Sequence, residues 1–221
     1  MVEKRRHTEV ITSLLGLDGR RVVDIGCGAG GLAGWLARHS AAVLGLDAQP
    51  APLEQARQAG VLVAAARAGA LPLAARSVDV AIIFNSLHHF PDPGAALAEA
   101  RRVMTADALL YIAEPLAQGA YFTFMQPVDD ETVARGRALD ALAAAHRRGL
   151  ALETTTDYAY DVVVRDLASA IRSWIAVDPT RAARIDAVRD ELARRLAAHG
   201  IVTPQGYALE QPMRSWLLRP V

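Results

Sequence analysis

The spacing of apolar positions changes repeatedly along the first half of the chain, and each change marks an element. Between Glu3 and Leu15, the residues Val10, Ile11, Leu14 and Leu15 share one side of a helix that Gly16 ends. Val22, Val23 and Ile25 then form a β-branched run suited to a buried strand, followed by Gly26, Gly28, Gly30 and Gly31. Leu32, Trp35, Leu36 and His39 return to helical spacing. Ala41 to Leu46 predicts a second strand ending at Asp47, with Pro50 and Pro52 opening a helix that Gly60 closes. Val61 to Ala65 reads as a third strand. Asp79 to Phe84 reads as a fourth, uninterrupted in its apolar content like a parallel strand buried on both faces. Asp92-Pro93 supplies a cap and first-turn proline for a helix with Leu97, Ala100, Arg101 and Met104 on one face, and Leu109 to Ala113 forms a fifth strand.

Strands alternating with helices predict an α/β fold: a doubly wound, Rossmann-like, mostly parallel sheet. The second half has a different texture. Asp129 to Arg148 reads as a helix with Leu139, Leu142, Ala143 and His146 on one stripe and Gly149 as terminator. Tyr158 to Val164 reads as a strand, and Asp178-Pro179 opens a helix carrying Ile185, Val188, Leu192 and Leu196 that Gly200 stops. On its outer face Asp190–Arg194 and Glu191–Arg195 have the spacing of supporting ion pairs. Met213 to Leu218 reads as a closing strand. No repeat, low-complexity tract or linker divides the chain. The expectation is one domain over 1–221, with an N-terminal helix in 1–20, a glycine-turn half in 21–115, a helical lid in 116–150 and further strands and helices in 151–221.

Composition narrows the class. A chain of 221 residues with 52% hydrophobic and 22% charged content can bury a core. Its 24 Lys and Arg balance 24 Asp and Glu, so no net field draws nucleic acid or an anionic membrane. No basic stripe interleaved with aromatics is present, which argues against nucleic acid as a partner. The charged start lacks the apolar core of a signal peptide, and no apolar run is long enough to span a bilayer. A single cysteine, Cys27, excludes an internal disulfide and suits a cytoplasmic setting. Homo-oligomer formation is left open.

Strand, glycine turn and helix open a nucleotide-type βαβ unit, and two ligand classes use such a turn. Gly26-x-Gly28-x-x-Gly31 has the dinucleotide spacing, and Asp47 stands about 20 residues on, where a ribose-binding acid is expected. This alternative predicts an NAD(P)-dependent oxidoreductase. Asp24 weighs against it. A carboxylate at the mouth of the strand would meet a pyrophosphate at a cost on the order of kcal/mol, whereas a ligand with an ammonium and a sulfonium would gain from it. The purely structural role for Asp24 is a hydrogen bond within a loop or at a helix end.

The run Val-Val-Asp-Ile-Gly-Cys-Gly-Ala-Gly at 22–30 resembles the first motif of the class I S-adenosylmethionine-dependent methyltransferases. The likeness continues in order through Leu44-Gly45-Leu46-Asp47, Leu71-Pro72-Leu73 with Ser77-Val78-Asp79-Val80, Asn85-Ser86-Leu87-His88-His89-Phe90, and Ala113-Glu114-Pro115. It covers about the first 115 residues and is nearest to the small-molecule branch of the quinone-biosynthesis type (methyltransferase type 11). The resemblance implies an antiparallel strand added at the end of the sheet, which Met213 to Leu218 would supply, and methyl transfer from S-adenosyl-L-methionine to a small-molecule acceptor. Asp47 would take both ribose hydroxyls. Gly26, Cys27, Gly28 and Gly30 would bring the backbone round the methionine part, with its ammonium at Asn85 and Asp24. Ala48, Ala68 and Leu71 would lie beside the adenine, apolar core being the other account of Leu71. Where family members often carry an Asp four residues before Leu-Pro, this chain has Arg67, which can only donate.

Methyl transfer asks a protein mainly to align a nucleophile and exclude water. A general base is needed only where the acceptor must lose a proton. His88 and His89, after the fourth strand, are the candidates, packing or hydrogen bonding beneath the loop being the alternative. Glu114 shares this ambiguity. Tyr121, Phe122, Phe124 and Met125 either pack the lid or line an apolar acceptor pocket. Cys27 either has a lowered pKa at the helix start or simply fills the turn. No convincing set of converging carboxylates for a metal is visible. A cofactor-binding accessory protein without catalysis is the remaining alternative.

Overall fold

The computed structural model describes residues 2–221. In chain order the elements are α1 (His7–Leu14), β1 (Arg21–Ile25), α2 (Gly31–Leu36), β2 (Ala42–Asp47), α3 (Pro50–Gln58), β3 (Val63–Ala65), β4 (Val78–Phe84), α4 (Pro93–Val103), β5 (Met104–Pro115), α5 (Ala120–Met125), α6 (Thr132–Ala143), β6 (Leu150–Val164), α7 (Leu167–Val177), α8 (Arg181–His199), β7 (Ile201–Thr203) and β8 (Gly206–Pro220). Short 3-10 turns cover Leu87–His89 and Ala145–Arg148.

Two compact units result, the larger holding residues 6–114, 136–156 and 214–221, the smaller holding 115–135, 157–213 and the N-terminal residues up to Arg5. Both the 116–150 and the 151–221 stretches contribute to each unit, so the division does not follow those sequence ranges.

In the larger unit the sheet runs β3-β2-β1-β4-β5, then through the C-terminal half of β8 and the N-terminal half of β6. Strands β1 to β5 are parallel, with Ile25 opposite Leu46, Asp24 between Gly45 and Ile82, and Phe84 opposite Ala113. Parallel strands covered on both sides read as apolar runs, and β4 is buried from Val80 to Ile83. Val23, Ile25, Ala81, Ile83, Leu97, Ala100, Leu110 and Ile112 form the centre of the core. Between β1 and β4 the winding reverses direction, which opens a crevice at the C-terminal ends of these strands.

The smaller unit has its own core of Phe124, Ile171, Trp174, Ile185, Leu192, Leu196 and Leu209. Residues 3–5 run extended here: the Arg5 N–H donates to the Ala159 carbonyl at 2.9 Å. β7 and β8 form an antiparallel hairpin, Val202 opposite Tyr207.

Several boundaries differ from the sequence reading. α1 begins at His7 rather than near Glu3, where Glu9 accepts the Arg6 N–H at 3.0 Å. Helix 129–148 is shorter: Asp130 accepts the Thr132 N–H at 3.1 Å and starts α6 there, and a 3-10 turn precedes left-handed Gly149. The closing strand begins at Gly206, well before Met213, because the β7–β8 hairpin pairs its first residues. α7 was not expected; its cap is a reciprocal pair, Asp166 accepting from the Ser169 N–H at 2.6 Å and Ser169 Oγ from the Asp166 N–H at 3.1 Å. Asp178 does not open α8 directly but holds Thr180, and the helix starts at Arg181.

Candidate functional site

At the C-terminal ends of the larger unit's strands lie the glycine turn after β1, Asp47 closing β2, the 66–73 loop after β3, the 85–90 loop after β4, and Glu114 near the end of β5. The turn is drawn down onto β2: the Gly26 and Cys27 N–H groups donate to the Leu46 carbonyl at 2.7 and 3.1 Å. Gly28 N–H donates to Asp47 Oδ2 at 2.9 Å, and Gly30 N–H to the Cys27 carbonyl at 2.9 Å. The Gly26, Cys27, Gly28 and Gly30 amides are therefore engaged within the protein. Gly26 sits at φ +80°, where a Cβ would fall 2.6 Å from Ser86 Oγ; that hydroxyl donates to the Ile25 carbonyl at 3.1 Å. Gly28 is different: at φ +52° a Cβ there would meet no protein atom within 4 Å.

Asp24 is not at the mouth of the strand, as its sequence position suggested, but beneath the turn, 1% exposed. Its Oδ2 has no hydrogen-bond partner. Burial, and then the nearby Asp47 carboxylate, push its pKa up to about 7, so at neutral pH it is only partly ionised. The repulsion argument against a diphosphate weakens accordingly. The unpartnered oxygen remains, and it lacks a donor or a cation. Asp47 is held by Gly28 on one oxygen and by the Gln49 N–H at 2.9 Å on the other, which leaves a lone pair on each for a diol. Cys27 packs over Gly45, where a Cβ would lie 2.8 Å from its Sγ. Its pKa is raised to about 12 by burial and by Asp24 and Asp47, opposite to the activated-thiol reading.

The 66–73 loop is fastened from α4, by a pair that the sequence reading missed. Glu99 accepts the Leu71 N–H at 2.9 Å, and Arg102 donates to Glu99 and to the Leu71 and Leu73 carbonyls at 3.0 and 2.9 Å. Their i, i+3 spacing is visible in sequence but looks like a surface ion pair. Leu71 is core. Ala48 and Arg67 are exposed and Ala68 is half-buried, with Arg67 turning back on itself through the Ala70 N–H at 2.9 Å.

Beyond β4, Asn85 takes left-handed backbone, φ +51°, and its N–H donates to the Ala113 carbonyl at 2.8 Å. His88 is buried and meets Glu114 through Nδ1, while His89 is exposed with its ring 3.9 Å from that of His88. His7 packs edge-on against Phe84 at 4.6 Å. An apolar groove of about 380 Å³, lined by Leu139, Leu142, Leu152 and Trp216 among others, shares no residue with this crevice.

In the smaller unit the aromatic cluster is packing. Phe124 is fully buried against Trp174 with ring centroids 5.0 Å apart, and Tyr121 accepts the Trp174 N–H at 3.2 Å. Arg135 lies over the Phe122 ring at 4.9 Å and is tied to Glu131 and to the Leu116 carbonyl. Among the described residues no helix is long and apolar enough to cross a membrane.

Residues 23–112 match the family described as a methyltransferase domain. Over 102 residues the chain is 40% identical to the ubiquinone biosynthesis O-methyltransferase of Hahella chejuensis, covering 43% of each chain. The chain thus spans less than half the length of that curated relative. Two solved structures extend the likeness in fold. The YcgJ protein from Bacillus subtilis has TM-score 0.65 at 20% identity, over 97% of this chain and 98% of its own. The [4+2]-cyclase SpnF has TM-score 0.62 at 21% identity, over 96% and 80%. At such identities the fold is what is shared, and a cyclase among the neighbours illustrates that fold leaves chemistry to the site.

Proposed function

We propose that this chain, whose residues 23–112 match the methyltransferase-domain family, transfers a methyl group from S-adenosylmethionine to a small-molecule acceptor and releases S-adenosylhomocysteine. The observation that carries this reading is the partnerless, buried Asp24 oxygen beneath a turn in which the Gly26, Cys27, Gly28 and Gly30 amides are already engaged. Such a crevice is short of a donor or a cation, not of an anion. A zwitterionic ligand with an ammonium and a sulfonium fits that need; a dinucleotide diphosphate does not.

In this reading Asp47 takes the ribose hydroxyls with the lone pairs left by Gly28 and Gln49. Gly26, Cys27, Gly28 and Gly30 supply the backbone wall of the methionine part, Gly28 by the open space above it. Asp24 and Asn85 answer the ammonium. Ala48 and Ala68 flank the adenine, and the loop that Glu99 and Arg102 fasten takes the place of the missing acid at Arg67. His88 and His89 stand on the acceptor side. When bound, S-adenosylmethionine supplies an electrophilic methyl group on a positively charged sulfur; the protein aligns the acceptor and keeps water out. The acceptor is a small molecule rather than nucleic acid, since the chain has no net positive charge. We place the protein in the cytoplasm on its single cysteine.

A thermal-shift panel tests this. S-adenosylhomocysteine at a hundredfold its Kd stabilises the protein by about 2.7 kcal/mol, and NAD and NADP give no shift. The reverse pattern overturns the proposal. Binding without methyl transfer across a broad acceptor panel leaves the accessory role instead.

A further inference from the structure

Three consecutive backbone N–H groups in the loop after β4 converge on one side chain. Glu114 Oε1 accepts the Ser86 and Leu87 N–H groups at 3.1 and 2.9 Å, and its Oε2 accepts the His88 N–H at 3.3 Å. Glu114 is buried, so these donors answer a carboxylate withdrawn from water. On its other side the loop is tied to the end of β1, where Ser86 Oγ donates to the Ile25 carbonyl at 3.1 Å.

The consequence falls on Asn85, which is exposed at the crevice. In an extended strand residue the N–H and C=O face the same neighbouring strand. The Asn85 N–H does face β5, donating to the Ala113 carbonyl at 2.8 Å, but a φ of +51° takes the residue out of the extended region. The peptide that follows is planar and trans, so its C=O and N–H point opposite ways. With the Ser86 N–H held on Glu114, the Asn85 carbonyl points away from that carboxylate. Left-handed backbone costs asparagine less than most residues, yet it still needs a restraint, and the bonds to Glu114 supply one.

We propose that Glu114 is a positioning residue for the cofactor: by fixing the Asn85–Ser86 peptide it presents the Asn85 carbonyl to an ammonium group in the crevice beside the glycine turn. The inference rests on the S-adenosylmethionine reading and deepens it, naming a buried acid that acts on the ligand only through the backbone. Without the carboxylate the Asn85–Ser86 peptide is free to turn over. An N–H then stands where the carbonyl stood, and a positively charged nitrogen has no use for a second donor.

The test is calorimetric titration of the full chain with two ligands, S-adenosylhomocysteine and its analogue lacking only the amino group. The wild type is expected to prefer the first by about tenfold or more, as for a hydrogen bond to a charged group. In Glu114→Ala the preference disappears: S-adenosylhomocysteine weakens to the level of the analogue, whose own affinity stays within about twofold. Glu114→Gln keeps an oxygen for the Ser86 and Leu87 N–H groups and restores most of the preference. A preference retained in Glu114→Ala, or equal losses for both ligands, overturns the proposal, the second because a merely structural role weakens both alike. Should Glu114→Ala not fold, a wild-type crystal with S-adenosylhomocysteine decides: an ammonium nitrogen beyond hydrogen-bond reach of the Asn85 carbonyl overturns it. A wild type that binds both ligands equally removes the ammonium contact but leaves the cofactor reading standing. A wild type that binds neither removes the cofactor reading, and the proposal with it.

Discussion

Asp47 Oδ2 lies 2.9 Å from the amide nitrogen of Gly28, a residue 19 positions earlier in the chain. One carboxylate thereby shapes the glycine turn while keeping lone pairs for a ligand. Asp47→Ala is expected to lower affinity for S-adenosylhomocysteine by about 1.5–3 kcal/mol, the range for hydrogen bonds to a charged group. Calorimetric titration checks this, and wild-type affinity in the variant removes the ribose assignment.

Two glycines of the turn separate fold from binding. Gly26→Ala drives a Cβ to 2.6 Å from Ser86 Oγ at a left-handed φ, so the loss appears in the melting temperature of the ligand-free protein, from about 1–3 kcal/mol of strain. Gly28→Ala has left-handed φ but open space around the new methyl group. Its penalty in the free protein is smaller, and its main effect falls on cofactor affinity. Equal behaviour of the two variants in both measurements would contradict the placement of ligand above Gly28.

Asp24 makes binding pH-dependent with a defined sign. Its folded-state pKa of about 7 lies above its ordinary value of 3.8, so the folded protein holds an extra proton between these limits. The stability contribution is therefore present below about pH 4 and lost as pH rises through about 7. A cationic ligand favours the ionised form and expels that proton. Affinity for S-adenosylmethionine should climb by up to about tenfold per pH unit toward pH 7 and level off above it. Asp24→Asn flattens the slope, and calorimetry in two buffers of different ionisation heat counts the proton released. A flat profile in the wild type rejects the contact.

Arg102→Ala removes the donor to the Leu71 and Leu73 carbonyls and frees the partner acid Glu99. Since both groups fasten the 66–73 loop from α4, S-adenosylhomocysteine affinity is expected to drop roughly tenfold, about 1.4 kcal/mol, while a ribose-free fragment such as methionine binds unchanged. Hydrogen exchange at Leu71 reports the loosened loop directly; unchanged protection would place the loop's order elsewhere.

Sequence patterns made the α/β winding legible because a parallel strand must bury both faces and its helix one stripe, demands that composition meets locally. They also made Asp47 and the glycine turn legible, since spacing along one βαβ unit is short. α7 escaped because its cap depends on a reciprocal Asp166–Ser169 pair that looks like loop chemistry until the backbone closes on it. Glu99 and Arg102 escaped for a related reason: their partners are carbonyls and an amide 28 to 31 residues away.

By itself, the sequence determined where the strands, the turn and the acid that closes β2 stand, because those depend on residue type and local period. Tertiary structure alone decided the state of each carboxylate. Asp24 and Glu114 both lie at or near the end of a strand, yet one is sealed under a turn with an oxygen unanswered and the other accepts three backbone N–H groups and meets His88 Nδ1. Solvation and partners brought together from distant segments set the charge and the task of a buried acid, and neither is written in its neighbours along the chain.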